Sequence, residues 1–135
     1  MGLFNFLKKN HPIKDMVKNN LNGIELEKSG KIDDAIKLYE YNVEHRFDGS
    51  HPYNRLAIIY RKQKEYEKEI IVLKQAIDVF TNDVPHSRLD RNKKIEEFNK
   101  RLKKVNELLQ KKLLASSNMN TRVKSGSNAN QDKID

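Results

Sequence analysis

The four histidines, His11, His45, His51 and His86, are the first candidates for metal binding or proton transfer. None forms the His-x-x-x-His or His-Glu-x-x-His spacing that sets two ring nitrogens on one helix face for zinc. His45 and His51 flank Arg46-Phe47-Asp48-Gly49, and two imidazoles at a loop are ordinarily solvated. The acidic pairs Asp33-Asp34 and Glu96-Glu97 are sequence neighbours, so on a helix they diverge by about 100 degrees and share no site. With no cysteine there is no thiolate nucleophile, and the five glycines form no phosphate loop, Gly-x-Ser-x-Gly elbow or dinucleotide fingerprint. The expectation is a protein that is not an enzyme and takes neither metal nor cofactor. The missing cysteines also favour cytoplasmic residence.

Positive charge is the other chemistry on offer. The chain of 135 residues carries a net charge of +8, unevenly placed. Residues 1–83 hold 14 basic against 13 acidic side chains, whereas residues 84–135 hold 13 against 6. The surplus lies on Arg91, Lys93, Lys94, Lys100, Arg101, Lys103, Lys104, Lys111 and Lys112, an electrostatic footprint for phosphates. Glu96, Glu97 and Glu107 dilute it, and no aromatic stacking platform is interleaved. A solvated outer face is the leading reading, with non-specific nucleic-acid binding as the alternative. Abundant Lys, Asn and Ile match an AT-rich coding bias, as in a low-GC bacterium or its virus, and part of the charge follows from that bias.

Helices must position these groups. Hydrophobic residues are only 36% of the chain and charged ones 34%, so the core is thin, one apolar stripe per helix. Residues 1–12 form an apolar and basic segment. Its Leu3, Phe4, Phe6 and Leu7 are expected to cap a helical stack, with contact to a membrane surface as the minority reading. Asn10 and Pro12 start a helix running to about Lys28, with Ile13, Val17, Leu21, Ile24 and Leu26 as its apolar side. Gly30 closes it in the left-handed conformation. Asp33 and Asp34 then favour the start of a second helix that carries Ala35, Ile36, Leu38, Tyr39 and Val43. Ser50 and Pro52 start a third helix over 51–63, and a fourth covers 66–80. The hinge Gln63-Lys64-Glu65 lacks glycine and predicts a looser turn than the one at Gly30.

Beyond Val84-Pro85, Ser87-Arg-Leu-Asp90 reads as a capping box opening a long basic helix over 84–114. Its Ile95, Phe98, Leu102, Val105 and Leu109 recur at spacings of three and four, a seam able to cover the preceding helices or to pair with a second copy. Residues 115–135 are polar and predict a disordered tail.

The two middle helix pairs are copies. Moved back 34 residues, His51–Phe80 lands on Val17–Arg46, with Gly23 under Ala57, Ile32 under Tyr66, Ile36 under Ile70 and Tyr39 under Leu73. A helix-turn-helix unit at that period, with Tyr53, Leu56, Ala57, Tyr60, Tyr66 and Ala76 in one copy and Gly23, Gly30, Ala35 and Tyr39 in the other, resembles the tetratricopeptide repeat. The resemblance covers residues 13–83. The chain departs from it at Asn19 and Asn22, which replace an aromatic and a leucine, and at Glu69, which replaces a small alanine. What the resemblance implies is an all-α, TPR-like superhelix of two repeats closed by the last helix. It also implies an adaptor or scaffold holding a peptide or protein segment in a concave groove. By the family's inward positions that groove presents Asn20, Ile24, Glu27 and Lys28, then Asn54, Ile58, Arg61 and Lys62. Such a lining suits a carboxylate or acidic segment.

Overall fold

The structure, a computed structural model, describes residues 12–134, with side chains described from 15 to 120. It comprises five helices, and no strand occurs among the described residues: α1 (Pro12–Lys28), α2 (Ile32–Glu44), α3 (His51–Lys62), α4 (Tyr66–Asn82) and α5 (Arg91–Ile134). The fold is all-α, as the periodicity predicts. No helix of the described residues is long and apolar enough to cross a membrane. Leu3, Phe4, Phe6 and Leu7 lie outside the described residues.

The helices form two hairpins, α1–α2 and α3–α4, whose turns coincide in detail at an offset of 34 residues. Gly30 has φ +77° and Lys31 has φ −89°, ψ 65°. Lys64 has φ 59° and Glu65 has φ −89°, ψ 66°. The hydrogen bonds repeat as well: Lys31 N–H donates to Leu26 O at 2.8 Å, and Glu65 N–H donates to Tyr60 O at 2.8 Å. The looser turn expected at Lys64 is therefore corrected. Lys64 takes the left-handed conformation despite its Cβ, because the backbone bonds that close the turn require it.

Packing follows the apolar stripes of α2 to α5. Tyr39, Tyr53, Leu56, Leu73, Val79 and Phe80 are fully buried. Phe98 of α5 meets the Phe80 ring edge-on at 5.3 Å and the Tyr53 ring at 6.3 Å. The Tyr53 hydroxyl donates to Phe47 O at 2.7 Å and fixes the loop between the hairpins.

Helix α1 departs from its expected orientation. Val17 and Leu21 are exposed, and α1 meets α2 through Met16, Asn19, Asn20 and the buried Gly23. Asn42, itself fully buried, donates to Met16 O and to Asn20 Oδ1, each at 2.8 Å, and accepts from Asn19 Nδ2 at 3.2 Å. A Cβ on Gly23 would sit 2.5 Å from Tyr39 Cε1, so the close approach of α1 to α2 needs glycine there. Met16 and Leu26 pack inward beside the asparagines while Val17 and Leu21 stay out, because Asn42 would otherwise be buried unpaired, which costs about 1–3 kcal/mol.

Helix α5 also differs at both ends. It begins at Arg91, with Lys94 N–H donating to Asp90 O at 2.9 Å, so Asp90 and not Ser87 stands at the cap. Pro85 to Asp90 form turns, in which Arg88 N–H donates to Pro85 O at 3.1 Å. At the other end the helix continues past Leu114, where a disordered tail was expected, with residues 111–120 exposed.

Candidate functional site

Glu69 lies 34 residues after Ala35, at the start of α4, where the first hairpin packs a methyl group. Its side chain is fully buried, and Arg61 of α3 grips it through Nε at 3.1 Å and Nη2 at 2.7 Å. Arg101 of α5 brings Nη2 to 3.7 Å of the same carboxylate, and Arg61 Nη2 also donates to the Arg101 carbonyl at 3.2 Å. The three charges thus join α3, α4 and α5 at one point. Two guanidiniums face one carboxylate, leaving one net positive charge, and Arg101 Nε is buried without a partner. Burial first, then the Arg61 charge, lowers the Arg101 pKa, against the pull of Glu69. A third cation, Lys62, stands exposed at the end of α3.

A second cluster joins α1, α2 and α3. Arg55 holds Glu27 in a bidentate pair, Nε to Oε2 at 3.0 Å and Nη2 to Oε1 at 2.5 Å. The buried Tyr39 hydroxyl donates to Glu27 at 2.7 Å. Burial would raise the Glu27 pKa, but the hydrogen bonds from Arg55 and Tyr39 and the Arg55 charge together hold it below the usual carboxylate value. His51 sets its ring edge-on to Tyr39 at 5.6 Å, and its Nε2 is buried without a partner. Burial, then the Arg55 charge, lowers the His51 pKa, partly offset by Glu27.

Of the expected groove residues, three are committed to contacts within the chain: Asn20 to Asn42, Glu27 to Arg55 and Tyr39, and Arg61 to Glu69. Lys28 pairs with Glu25 at 3.5 Å, in the open. Ile24, Asn54 and Ile58 are half-buried, and Lys62 is exposed. Sequence reasoning missed Arg55, and placed Arg101 only on the basic surface of the last helix, not beside Glu69. The one signal for Arg101 was the acidic Glu69 at an alanine position, because a carboxylate placed there demands cations nearby.

The seam of α5 is occupied within the chain. Phe98 and Val105 are buried, Ile95 and Leu102 pack on the same core, and Leu109 is half-buried. Its core is thus taken by α4 and leaves little for a second copy. The basic footprint is also reduced. Arg91 is 7% exposed and donates to the carbonyls of Phe80, Thr81 and Val84, capping the end of α4. Lys94 and Lys100 pair with Glu97 and Glu96.

No group of three or more His, Asp or Glu among the described residues is placed to hold a metal ion. Comparisons with protein-family models, with curated proteins and with solved structures found no match.

Proposed function

We propose that this chain is a non-catalytic interaction module of the tetratricopeptide-repeat kind, an adaptor that holds a protein or peptide segment along α1 and α3. The observation that carries the reading is the pair of turns at Gly30 and Lys64. Their dihedral angles and hydrogen bonds coincide at the 34-residue offset characteristic of that repeat. A glycine and a lysine in the same left-handed position at that offset support reading the hairpins as two copies of one unit, although the same left-handed end also closes α2 at Arg46, with φ 57° and Phe47 N–H donating to Asn42 O at 3.0 Å.

The groove in this reading keeps Ile24, Asn54 and Ile58 as its half-buried floor, with Lys62 at its rim. Asn20, Glu27 and Arg61 are its supports, because their polar atoms are already engaged. The net positive charge around Glu69, together with the exposed Lys62 at the end of α3, suits a segment carrying a carboxylate or several acidic residues.

The test is capture of partners from a bacterial extract by wild type and by a variant with Ile58→Asp and Lys62→Glu. Neither substitution touches the Glu69 or Glu27 clusters, so the helical signal and melting should hold. Proteins retained by wild type and lost by the variant are expected. An identical set on both would remove the groove from the reading.

A further inference from the structure

Between α2 and α4 lies an apolar cleft with α3 beneath it. Val43, Leu56 and Val72, all buried, form its floor, and Ile71 stands at its edge, 68% exposed. Gln75 Nε2 donates to Val43 O at 3.2 Å and Arg46 pairs with Asp78 at 2.7 Å, which closes the cleft toward the C-terminal ends of both helices. Glu40 and Glu44 line its α2 edge, and Lys68 of the α4 edge lies over the Tyr60 ring at 5.8 Å. Those edge charges sum to one negative. Its volume of ≈ 250 Å³ falls short of the roughly 300–1,000 Å³ of small-molecule sites and suits one or two aliphatic side chains.

The same chain carries side chains of the complementary kind. Helix α5 follows the second hairpin as far as Lys112, whose Nζ donates to Lys64 O at 3.2 Å and lies over the Tyr66 ring at 5.7 Å. It then runs on past the hairpin with Leu113 and Leu114 exposed. Lys111 and Lys112 precede these leucines, and no acidic residue occurs from 108 to 120. A helix end without packing is marginal in water, because helices in proteins are stabilised chiefly by burying an apolar face.

We propose that the projecting end of α5 seats its exposed leucines in the α2–α4 cleft of a second copy of this chain, with Lys111 beside Glu40 and Glu44. Its own cleft is out of reach. Glu69 and Phe80 put one face of α4 against α5, whereas Ile71 and Gln75 put the opposite face toward α2. Past Lys112 the continuous α5 leads away from the N-terminal end of α4 and cannot turn round it. One chain thus owns both halves of the contact, and two copies exchange them about a two-fold axis, which makes the contact twice. Each contact is smaller than the roughly 800 Å² per partner of a stable interface, so association belongs in the micromolar range, about 10–100 µM. The contact leaves Ile24, Asn54, Ile58 and Lys62 free and stands apart from the groove along α1 and α3.

The absence of native cysteine permits a direct test on the full chain. Ile71→Cys marks the cleft, and Ala115→Cys marks the projecting end without removing either leucine; Asn106→Cys, exposed elsewhere on α5, is the control. Under a mild oxidant, Ile71→Cys mixed with Ala115→Cys should form mixed dimers about tenfold faster than Asn106→Cys mixed with Ala115→Cys, as a preference of about 1.4 kcal/mol requires. Adding Leu113→Ser and Leu114→Ser to the Ala115→Cys chain should abolish the difference while the helical signal and melting hold. Equal rates with the leucines intact overturn the proposal. So does Ala115→Cys linking faster to itself than to Ile71→Cys, which would pair the projecting ends with each other. Wild type sedimenting as one chain at about 100 µM overturns it as well, and would leave the cleft to a foreign segment.

Discussion

Glu69→Ala gives the second hairpin the residue that the first carries at Ala35, and on the logic of the repeat it should be harmless. The charges predict the opposite. Glu69 is fully buried, while the Arg61 and Arg101 side chains keep 27% and 29% exposure. Removing one partner of a buried pair costs about 3–5 kcal/mol, because the remaining charge is left uncompensated. Water at the partly exposed guanidiniums screens some of that, which brings the loss to about 2–3 kcal/mol. For a chain of this size that lowers Tm by roughly 8–12 °C, at about 4 °C per kcal/mol. Urea and thermal melts followed by circular dichroism measure it. Adding Arg101→Met should recover part of the loss, since the stranded charge goes with it. A Glu69→Ala protein within about 0.5 kcal/mol of wild type would refute the reasoning, because surface substitutions behave that way.

The two turns and the buried imidazole give further expectations. Gly30→Ala forces a Cβ into the left-handed conformation and should cost about 1–2 kcal/mol, whereas Lys64→Gly relieves the same strain and should stabilise by up to about 1 kcal/mol. Urea melts that move in the same direction for both would deny that the turns are equivalent. His51 has a folded-state pKa below its ordinary value of 6.5, so the unfolded chain binds the extra proton more readily. Stability is therefore full above about pH 6.5 and falls as the pH drops from there through the lower folded value; His51→Gln should remove that part of the slope below about pH 6.5 in melts across pH.

Helix positions were legible because they rest on local chemistry. Gly30, Ser50-Pro52 and Val84-Pro85 each constrain one backbone position, and the structure changes direction near each of them. The left-handed Lys64 was not legible from its own residue type. Arg46 takes the same conformation, with φ 57°, also without glycine, because the backbone bonds that close a helix end set it and not the residue type. The orientation of α1 was misread because the apolar stripe was taken as the buried side. Asn19, Asn20 and Asn42 show no apolar periodicity, yet their mutual bonds, with Gly23 against Tyr39, set which side turns inward.

The groove residues inherited from the repeat pattern illustrate the same limit. A pattern assigns positions to a face but says nothing of which polar groups are already spoken for. At two equivalent places the hairpins exchange roles: the first has Ala35 and Asn42, the second Glu69 and Ala76, each 34 residues on and all four fully buried. Each hairpin thus carries one small residue and one polar residue in its second helix. Asn42 reaches back to α1, whereas Glu69 gathers Arg61 of α3 and Arg101 of α5. With only 36% hydrophobic residues the core specifies neighbours weakly, because apolar contacts tolerate sliding and rotation. A buried amide or carboxylate tolerates neither, since any other arrangement leaves it unpaired. The buried Asn42 and Glu69 therefore help fix α1 against α2 and α5 against α3 and α4, and replacing either by alanine should loosen the stack.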